Sequence, residues 1–429
     1  MTLFRGTVMD TPGDPFHGDP AEALVVDQDG GVVVQDGIIA ARGSFAQLQQ
    51  EYPLEPVVDL RGGMLVPGFV DTHVHFPQMR SMGGLGMPLL DWLERCALPE
   101  ESRFADAAYA RAVAAEFIDG LISGGTTSAL VFGSHFAPAM DELFTESERR
   151  GINVTSGLVV SDRILRPDLL SSAAAGFDQS AGLIKRWHGR GRLRYAVTPR
   201  FSLSTSDDML AACGELLTED VWFTSHMNEN LSEVATVSDL FPDSKHYLDT
   251  YHRHGLVTER SVFAHSVHTG DAELELMAAM GAWASHCPTS NSALGSGLFP
   301  MRRHIENGVG VALGSDVGAG TGLFLLKEGL QAYFMQQLLG EQGLALTPTH
   351  LLYLATRAGA RALGIDHRVG DFGIGKEFDA VWLRPAPRTA LAVNLTNAAD
   401  PIDALARVFA LATPADVAGV WALGERIYG

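Results

Sequence analysis

Short apolar runs that end in a polar residue recur along the chain, and helix-like stretches lie between them. This alternation predicts a parallel sheet, because parallel strands need a crossover connection that is usually a helix. The predicted strands are Met64 to His73, Thr126 to Phe132, Asn153 to Val160, Arg194 to Thr198, Val221 to His226, Ser261 to His265, Gly281 to His286 and Val309 to Asp316. The predicted helices between them include Phe104 to Ile122, Met140 to Arg150, Ala173 to Trp187, Asp207 to Leu217 and Asp271 to Met280. Eight such units predict an α/β fold, a (β/α)8 TIM-like barrel with its chemistry at the carboxyl ends of the strands.

The two flanks of the chain have a different pattern. The N-terminal flank contains short strand-like runs joined by tight turns, and the C-terminal flank has the apolar runs Phe378 to Leu383 and Val417 to Ala422. Neither flank is long enough to bury a two-sheet core alone. We therefore expect residues 1–66 and 371–429 to pair into one small β-sandwich module, and residues 67–370 to form the barrel.

Two histidines one residue apart close the first predicted strand. In the run Pro67 to His75, His73 and His75 follow apolar residues, so both imidazoles lie on one face of an extended strand. Two polar rings at the end of a buried strand are costly unless they have partners, and a metal ion is such a partner. His252 and His254 have the same spacing amid charged residues and glycine, and this second pair predicts a solvated helix end.

Three later predicted strands also end near residues that bind metals or transfer protons. His226 is followed three residues later by Glu229, and His265 and Asp316 close two further apolar runs. The carboxyl ends of parallel barrel strands share one edge of the barrel. We therefore expect these four side chains to meet the first histidine pair.

The charge of the chain narrows the classes of partner. Its 31 basic and 51 acidic residues give a net charge of −20, which disfavours nucleic acid and acidic membrane surfaces because no basic stripe is present to neutralise phosphates. No apolar stretch approaches the roughly twenty residues that span a bilayer, and the N-terminus lacks the pattern of a signal peptide. Cys96, Cys213 and Cys287 form no Cys-x-x-Cys pair, which predicts unpaired thiols in a reducing compartment. We expect a soluble cytoplasmic protein.

The same residues resemble a known family. The run from Pro67 to His75 and the strands that end near His226, His265 and Asp316 resemble the amidohydrolase superfamily, in its aminohydrolase branch. More narrowly, five segments resemble the guanine deaminase family: Phe76-Pro77-Gln78, Leu89 to Leu93, Thr198 to Ser202, His286 to Asn291 and Gly375 to Ala380. The resemblance covers almost the whole chain. It implies a homodimeric, zinc-dependent enzyme that converts guanine to xanthine and ammonia.

The resemblance implies one zinc ion per subunit, held by His73, His75, His226 and Asp316. Three nitrogen ligands and one oxygen ligand suit zinc, although iron would accept the same set. A two-metal site would need a carboxylated lysine near the end of the fourth strand, and Tyr195 to Arg200 contains no lysine. Whether His265 binds the metal directly or only orients a water molecule stays open.

The resemblance also implies roles in the reaction. Asp316 would accept a proton from the attacking water molecule, and Glu229 would be the general acid that protonates N3 of guanine while C2 is attacked. His265 would lie beside that water molecule. The alternative interpretation is that Glu229 is an ordinary surface carboxylate. Its position three residues after His226 disfavours this alternative.

Substrate recognition would involve Gln78 and Arg200, whose N–H groups can donate to the O6 carbonyl of guanine. Adenine has an amino group at that position, which would leave those donors unpaired. Phe201 and Trp92 would pack against the purine ring, with packing in the core as the alternative for both. His286 either lines the pocket or packs at a strand end.

Two alternative functions stay open. Ser315 and the pair Met227-Asn228 differ from the pattern of the family, so another aminated heterocycle such as 8-oxoguanine or a pterin is an alternative substrate. A non-catalytic scaffold with the same fold is the second alternative. Such a scaffold should have lost a metal ligand or the general acid, whereas this chain retains all of these residues.

Overall fold

Two β-sheets form the framework of the molecule. The computed structural model describes residues 1–429 and contains sixteen strands. In chain order the strands are β1 (Thr2–Asp10), β2 (Val25–Gln35), β3 (Ile38–Ser44), β4 (Val57–Pro67), β5 (Phe69–His75), β6 (Thr126–Phe132), β7 (Asn153–Gly157), β8 (Val159–Val160), β9 (Leu193–Pro199), β10 (Trp222–Met227), β11 (Ser261–His265), β12 (Trp283–His286), β13 (Gly310–Leu313), β14 (Ala380–Leu383), β15 (Val417–Ala422) and β16 (Glu425–Tyr428).

Helices connect the strands and cover the sheets. The α-helices are α1 (Pro20–Ala23), α2 (Phe45–Glu51), α3 (Leu89–Trp92), α4 (Leu98–Ser102), α5 (Ala107–Ser123), α6 (Ala137–Arg150), α7 (Ala173–Trp187), α8 (Asp207–Leu216), α9 (Leu231–Leu240), α10 (Tyr247–His252), α11 (Asp271–Met280), α12 (Pro288–Ala293), α13 (Met301–Glu306), α14 (Leu325–Leu338), α15 (Pro348–Ala355), α16 (Arg357–Ala362), α17 (Ala390–Thr396) and α18 (Pro401–Leu411). Short 3₁₀ turns occur at Phe76–Ser81, Arg103–Ala105, Pro167–Leu169, Ser202–Ser204, Gly340–Gln342 and Pro414–Asp416, and one π-helical turn occurs at Leu93–Ala97. Each helix is too short or too polar to cross a membrane.

The larger sheet is a barrel of eight parallel strands. Neighbouring strands follow the order β5, β6, β7, β9, β10, β11, β12, β13, and the short strand β8 pairs with β9 beyond the end of β7. At the closure, Thr72 Oγ1 donates to the carbonyl of Leu313 at 2.8 Å, and the N–H of Asp316 donates to the carbonyl of His73 at 2.8 Å. These bonds join β13 to β5, and the predicted (β/α)8 barrel is confirmed.

The sequences of the barrel strands explain their position. Every residue of β5, β6, β10 and β11 is buried, as expected for parallel strands that helices cover on both faces. One predicted strand is wrong as a single element, because the run from Met64 to His73 is divided between β4 of the smaller sheet and β5 of the barrel. The division falls at Gly68, where a Cβ atom would lie 2.1 Å from Thr127 Oγ1. Only glycine lets the chain pass this close to its neighbour.

Local capping residues determine where several barrel helices begin and end. Asp106 accepts the N–H of Ala108 at 2.8 Å and starts α5, and Ser172 accepts the N–H of Ala175 at 3.2 Å and starts α7. Helix α6 ends at Gly151, whose φ of 72° lies in the left-handed region that favours glycine. These local residues define the starts of α5 and α7 and the end of α6.

The smaller sheet is built from both ends of the chain, as predicted. Its strand order is β16, β15, β14, β4, β1, β2, β3. The ring of Phe4 on β1 stacks on Phe378 and meets Trp421 on β15, with ring centroids 4.5 Å and 5.6 Å apart, although two strands lie between β1 and β15 in the sheet. These rings belong to an apolar core of the module's own, and Phe45 and Leu48 of α2 belong to a second, smaller cluster with Leu3 and Val33. The exact boundaries of the two domains stay a prediction.

Candidate metal and catalytic site

Five side chains from four strand ends converge at the carboxyl end of the barrel. His73 and His75 lie at the end of β5, His226 near the end of β10, His265 at the end of β11, and Asp316 just after β13. Asp316 Oδ1 lies 3.2 Å from Nε2 of His73 and 3.2 Å from Nε2 of His75. All five side chains are buried. The strand ends that the sequence singles out therefore meet at one point.

The backbone at these strand ends adopts rare conformations. Asn228, His265 and Asp316 have φ values of 53°, 69° and 46°, in the left-handed region that non-glycine residues seldom occupy. Such residues cost of order 1–3 kcal/mol each and cluster at functional sites. Beside them, a Cβ atom at Gly314 would lie 2.8 Å from Cβ of His73, so only glycine permits this approach of the last strand to the first.

The arrangement of nitrogen atoms fits a bound cation. Nε2 of His73 is buried and has no hydrogen-bond partner, and Nε2 of His75 lies only 3.1 Å from Nε2 of His226. A buried polar atom without a partner costs about 1–3 kcal/mol. A cation between these atoms and the carboxylate of Asp316 would satisfy all of them at once. The residues present therefore fit a metal ion.

Two of the histidines have a fixed orientation. Nδ1 of His226 donates to the backbone carbonyl of Arg200 at 2.6 Å, and Nδ1 of His265 donates to Oδ1 of Asn291 at 3.0 Å. A hydrogen on Nδ1 leaves a lone pair on Nε2, and such partners are typical of metal-binding histidines. Both rings thus aim a lone pair at the centre of the cluster.

The distances leave more candidate ligands than the predicted set. Ligand atoms of His73, His226, His265 and Asp316 all lie within 4.8 Å of one another. His75 belongs to the same cluster through its short distances to His226 and Asp316. His265 Nε2 also lies 3.8 Å from Asp316 Oδ2 and 3.5 Å from Oε2 of Glu229, so this ring stands between the cluster and the predicted general acid.

The electrostatics favour neutral imidazoles around a charged carboxylate. Burial lowers the pKa of His75 to about 4, and burial together with the rings of His73 and His75 holds the pKa of His226 well below its ordinary value. Burial alone would raise the pKa of Asp316, but the adjacent rings of His73 and His75, each with Nε2 3.2 Å from Oδ1, outweigh it and hold this pKa well below the usual range. Neutral histidine and ionised aspartate are the forms that bind metals.

Glu229 lies beside the cluster in a different environment. Its side chain is buried and accepts a hydrogen bond from Ser296 Oγ at 3.2 Å, while its backbone N–H donates to Glu233 at 3.1 Å. Burial, followed by the charges of Asp316 and Glu233, raises the pKa of Glu229 well above its ordinary value. A carboxyl group whose pKa is raised in this way holds its proton to higher pH and is suited to act as a general acid.

A cleft opens above these residues. Its wall includes all four predicted substrate-binding residues, Gln78, Trp92, Arg200 and Phe201, together with Glu229. Trp92 and Phe201 are almost wholly buried in the apolar core and also line the cleft. Packing in the core and packing against a bound purine are therefore compatible for both rings. The rest of the wall consists of His75, Leu89, Leu93, His226, His265, Leu294, Asp316 and Ala319.

Two polar residues that support the site, Asn291 and Glu101, have no function predicted from the sequence. Asn291 orients His265, and it lies in the segment His286 to Asn291 that resembles the family. Glu101 hydrogen-bonds to both Gln78 and Arg200, but its neighbours in sequence are those of an ordinary acidic helix start. The resemblance could have identified Asn291, whereas no local pattern points to Glu101.

His286 does not face the cleft. Its ring is fully buried and stacks on Phe299, with centroids 4.4 Å apart and an angle of 17° between the planes. Of the two interpretations of this residue, packing at the strand end is confirmed. Burial, followed by the nearby His304, lowers the pKa of His286 to about 3, so the ring is neutral.

Comparison with known sequences identifies relatives along the whole chain. The profile of the Amidohydrolase family matches residues 64–427, and that of the Imidazolonepropionase-like composite domain of bacteria matches residues 30–53. The chain is 58% identical to a probable guanine deaminase of Deinococcus radiodurans, with 100% of this chain and 99% of the relative covered. It is 37% identical to the guanine deaminase of Escherichia coli K12, with 95% of this chain and 93% of the relative covered.

Solved structures agree with the sequence relatives. The structure of the E. coli guanine deaminase superimposes with a TM-score of 0.95 at 36% identity, covering 100% of this chain and 98% of that one. A guanine deaminase from C. acetobutylicum, solved with guanine bound in its active site, superimposes with a TM-score of 0.90 at 28% identity over the whole of both chains. The barrel and the smaller sheet therefore have the same arrangement in these proteins.

Proposed function

The chain belongs to the amidohydrolase family, and from this membership we propose that it is a metal-dependent hydrolase that deaminates guanine to xanthine and ammonia. The observation that carries the proposal is the meeting, in one cleft, of the histidine–aspartate cluster, the buried Glu229 and the buried Arg200. Two relatives, named a probable guanine deaminase and a guanine deaminase, cover 100% and 95% of the chain and support the same activity. Hydrolytic deamination needs an activated water molecule, a proton donor and a purine site, and the cleft offers a residue for each.

We propose one zinc ion per subunit, with iron as the alternative metal. His73, His75, His226 and Asp316 would hold it, and His265 would act beside it. The donor set of three imidazoles and one carboxylate supports zinc. When bound, such an ion lowers the pKa of a water molecule so that the water can attack at neutral pH.

Proton transfer is assigned to the two carboxyl groups of the cleft. Asp316, ionised among the histidines, accepts the proton that the attacking water loses. Glu229, whose pKa is raised by burial and the neighbouring negative charges, donates a proton to N3 of the purine as C2 is attacked. Nε2 of His265 lies 3.5 Å from Oε2 of Glu229, and this ring stabilises the attacking water molecule between the two carboxyl groups. The proton that Asp316 accepted then passes to the amino group at C2, and the C2–N bond breaks to release ammonia. The remaining hydroxyl proton at C2 returns to Glu229 as the C2 carbonyl of xanthine forms.

Recognition of the purine is assigned to Arg200 and Gln78. Arg200 uses Nη1 to bind Glu101 at 2.7 Å, which leaves its other N–H groups for the O6 carbonyl of guanine. Gln78 donates one N–H to Glu101 at 2.7 Å and keeps a second N–H for the substrate. The aromatic rings of Trp92 and Phe201 provide flat apolar surfaces for the purine ring.

The test is ammonia release from guanine, 8-oxoguanine, adenine, cytosine and a pterin, with protein whose zinc content is measured and restored. We expect guanine to react with the highest kcat/KM and adenine to be rejected. If 8-oxoguanine or a pterin were preferred, the assignment of Arg200 and Gln78 would need revision while the hydrolytic chemistry stood. If no compound reacted with zinc-loaded protein, the proposed function would be wrong.

A homodimer in the cytoplasm completes the proposal. Three free cysteines support a reducing compartment, and the resemblance to the family supports the dimer. Light scattering of the purified protein, with a mass of 46.0 kDa per chain, distinguishes a dimer from a monomer.

A further inference from the structure

We propose that Glu101 is a positioning residue that sets the preference for 6-oxopurines by holding Gln78 and Arg200 in their binding geometry. This inference rests on the proposed function, since it concerns the selection of substrate in the same cleft. Gln78 and Arg200 line the cleft, whereas Glu101 lies behind them and has no surface on it. Glu101 can therefore influence a bound purine only through its two partners.

The contacts of Glu101 use both oxygens of its carboxylate. Oε1 accepts a hydrogen bond from Nε2 of Gln78 at 2.7 Å, and Oε2 accepts one from Nη1 of Arg200 at 2.7 Å. Nδ1 of His135 lies 3.4 Å from the same Oε2. A carboxylate has two oxygens and accepts at each, so one side chain fixes both recognition residues at once.

These partners come from separate loops at the carboxyl end of the barrel. Gln78 lies in the 3₁₀ turn after β5, His135 follows β6, Arg200 follows β9, and Glu101 itself lies on α4. Glu101, Gln78 and Arg200 are each at most 2% exposed. The carboxylate thus joins three strand-to-helix loops inside the protein, where water cannot replace a missing partner.

The charge of Glu101 is as important as its hydrogen bonds. A buried guanidinium needs a counter-charge, and Glu101 is the carboxylate paired with Arg200. Burial would raise the pKa of Glu101, but the positive charge of Arg200, the nearby ring of His135 and the hydrogen bond from Gln78 outweigh it, so the pKa lies well below its ordinary value. The group stays ionised, and Arg200 keeps its orientation.

Glu101 also decides which way the amide of Gln78 points. With Nε2 directed to Glu101, the amide oxygen Oε1 accepts the N–H of Gly318 at 3.1 Å. The side chain therefore offers a remaining N–H, rather than its oxygen, toward the cleft. Two neighbouring donors suit a carbonyl oxygen such as O6 and would stay unpaired against a purine that lacks it.

The experiment compares guanine with 2-aminopurine, which carries the same 2-amino group but has no oxygen at C6. Steady-state kcat and KM for both compounds, and zinc content, are measured for the wild type, Glu101→Gln and Arg200→Ala, and for the double variant. We expect Glu101→Gln to lower kcat/KM for guanine by about 10²-fold, chiefly through KM, as loss of one partner of a buried charge pair does. The value for 2-aminopurine should change less than about 5-fold, and the zinc content should stay the same.

Asp10→Asn is the matched control. Asp10 is a buried carboxylate that accepts a hydrogen bond from Arg42 at 2.7 Å, but it lies in the smaller sheet and contacts no residue of the cleft. This variant breaks a similar ion pair and should leave the ratio of guanine to 2-aminopurine unchanged. A ratio that moved equally in both variants would show a general loss of stability instead of positioning.

The double variant separates positioning from an independent role. If Glu101 acts through Arg200, adding Glu101→Gln to Arg200→Ala should lower kcat/KM for guanine far less than it does alone. If Glu101→Gln fails to fold, Glu101→Asp, which keeps the charge but cannot span both partners, gives the same comparison. A wild type that prefers guanine, with an unchanged ratio in the Glu101 variants or fully additive effects, would overturn this inference alone. A wild type inactive on both purines would overturn the proposed function and this inference together.

Discussion

The chain contains two His-x-His pairs, and only one of them belongs to the site. His73 and His75 are buried at the end of a barrel strand, where Asp316 lies 3.2 Å from both rings. His252 and His254 lie at the end of helix α10, where the side chain of His252 is 43% exposed and His254 pairs with an exposed Asp207 at 2.9 Å. The predicted solvated helix end is confirmed.

The difference between the pairs lies in what surrounds them. Alternate residues of a strand point to one face, so both rings of the first pair reach the same point, and the parallel neighbours bring further ligands to that edge. Solvent around His252 and the carboxylate of Asp207 beside His254 satisfy the second pair, which therefore has no need of a shared cation. The same spacing has chemical meaning only where burial removes water and the topology supplies partners.

The largest expected effect tests this comparison directly. His73→Ala should remove the bound metal and lower the turnover of guanine by more than about 10³-fold, because activation of water by a metal contributes several kcal/mol. His252→Ala and His254→Ala serve as controls and should retain both metal and turnover. Metal analysis and ammonia release check all three variants. Retained metal and near-normal activity in His73→Ala would contradict the assignment of the first pair.

A smaller loss of turnover is expected when the proposed general acid Glu229 is changed instead of a metal ligand. Glu229→Gln cannot donate the proton of a carboxyl group, so turnover should fall by about 10²–10⁴-fold while the metal content stays unchanged. The matched control is Glu275→Gln, which lies on the outer helix α11 away from the cleft and should behave as the wild type. Loss of metal from Glu229→Gln would instead make this residue part of the metal site.

A smaller effect is expected at the hydrogen-bond partner of a histidine in the buried cluster. Asn291→Ala removes the hydrogen bond that orients His265, and loss of such a partner typically costs 10- to 100-fold in metal affinity or activity, roughly. Titration with zinc and steady-state kinetics measure the two effects. An Asn291→Ala variant with unchanged metal affinity and kcat would show that the bond does not tune the site.

The smallest effect is expected at the exposed pair. Asp207→Asn weakens the interaction with His254, and exposed ion pairs contribute at most about 1 kcal/mol to the free energy of unfolding. Chemical denaturation should therefore show a small shift, and the turnover of guanine should not change. A large loss of activity in this variant would mean that the second pair is coupled to the cleft after all.

Much of the fold could be predicted from the order of apolar runs, because the parallel strands are almost wholly buried and several barrel helices begin or end at a local capping residue. The join between β4 and β5 could not be predicted this way, since the apolar run continues across Gly68 while the chain changes sheet. The metal cluster could be predicted because its members stand at strand ends. Glu101 could not, because its partner Arg200 lies 99 residues away and an acidic helix start is otherwise typical of the surface.

The sequence by itself determined the barrel, the pairing of the chain ends and the identity of the residues at the strand ends. The reason is that the apolar run of each strand and the polar residue that ends it are neighbours in the sequence. Only the tertiary structure decided that His73 Nε2 lacks a hydrogen bond, that Asn291 orients His265 and that Glu101 holds Gln78 and Arg200 together. These are contacts between segments far apart in the chain. Their geometry depends on how the closed barrel brings its loops together, and no local pattern encodes that distance.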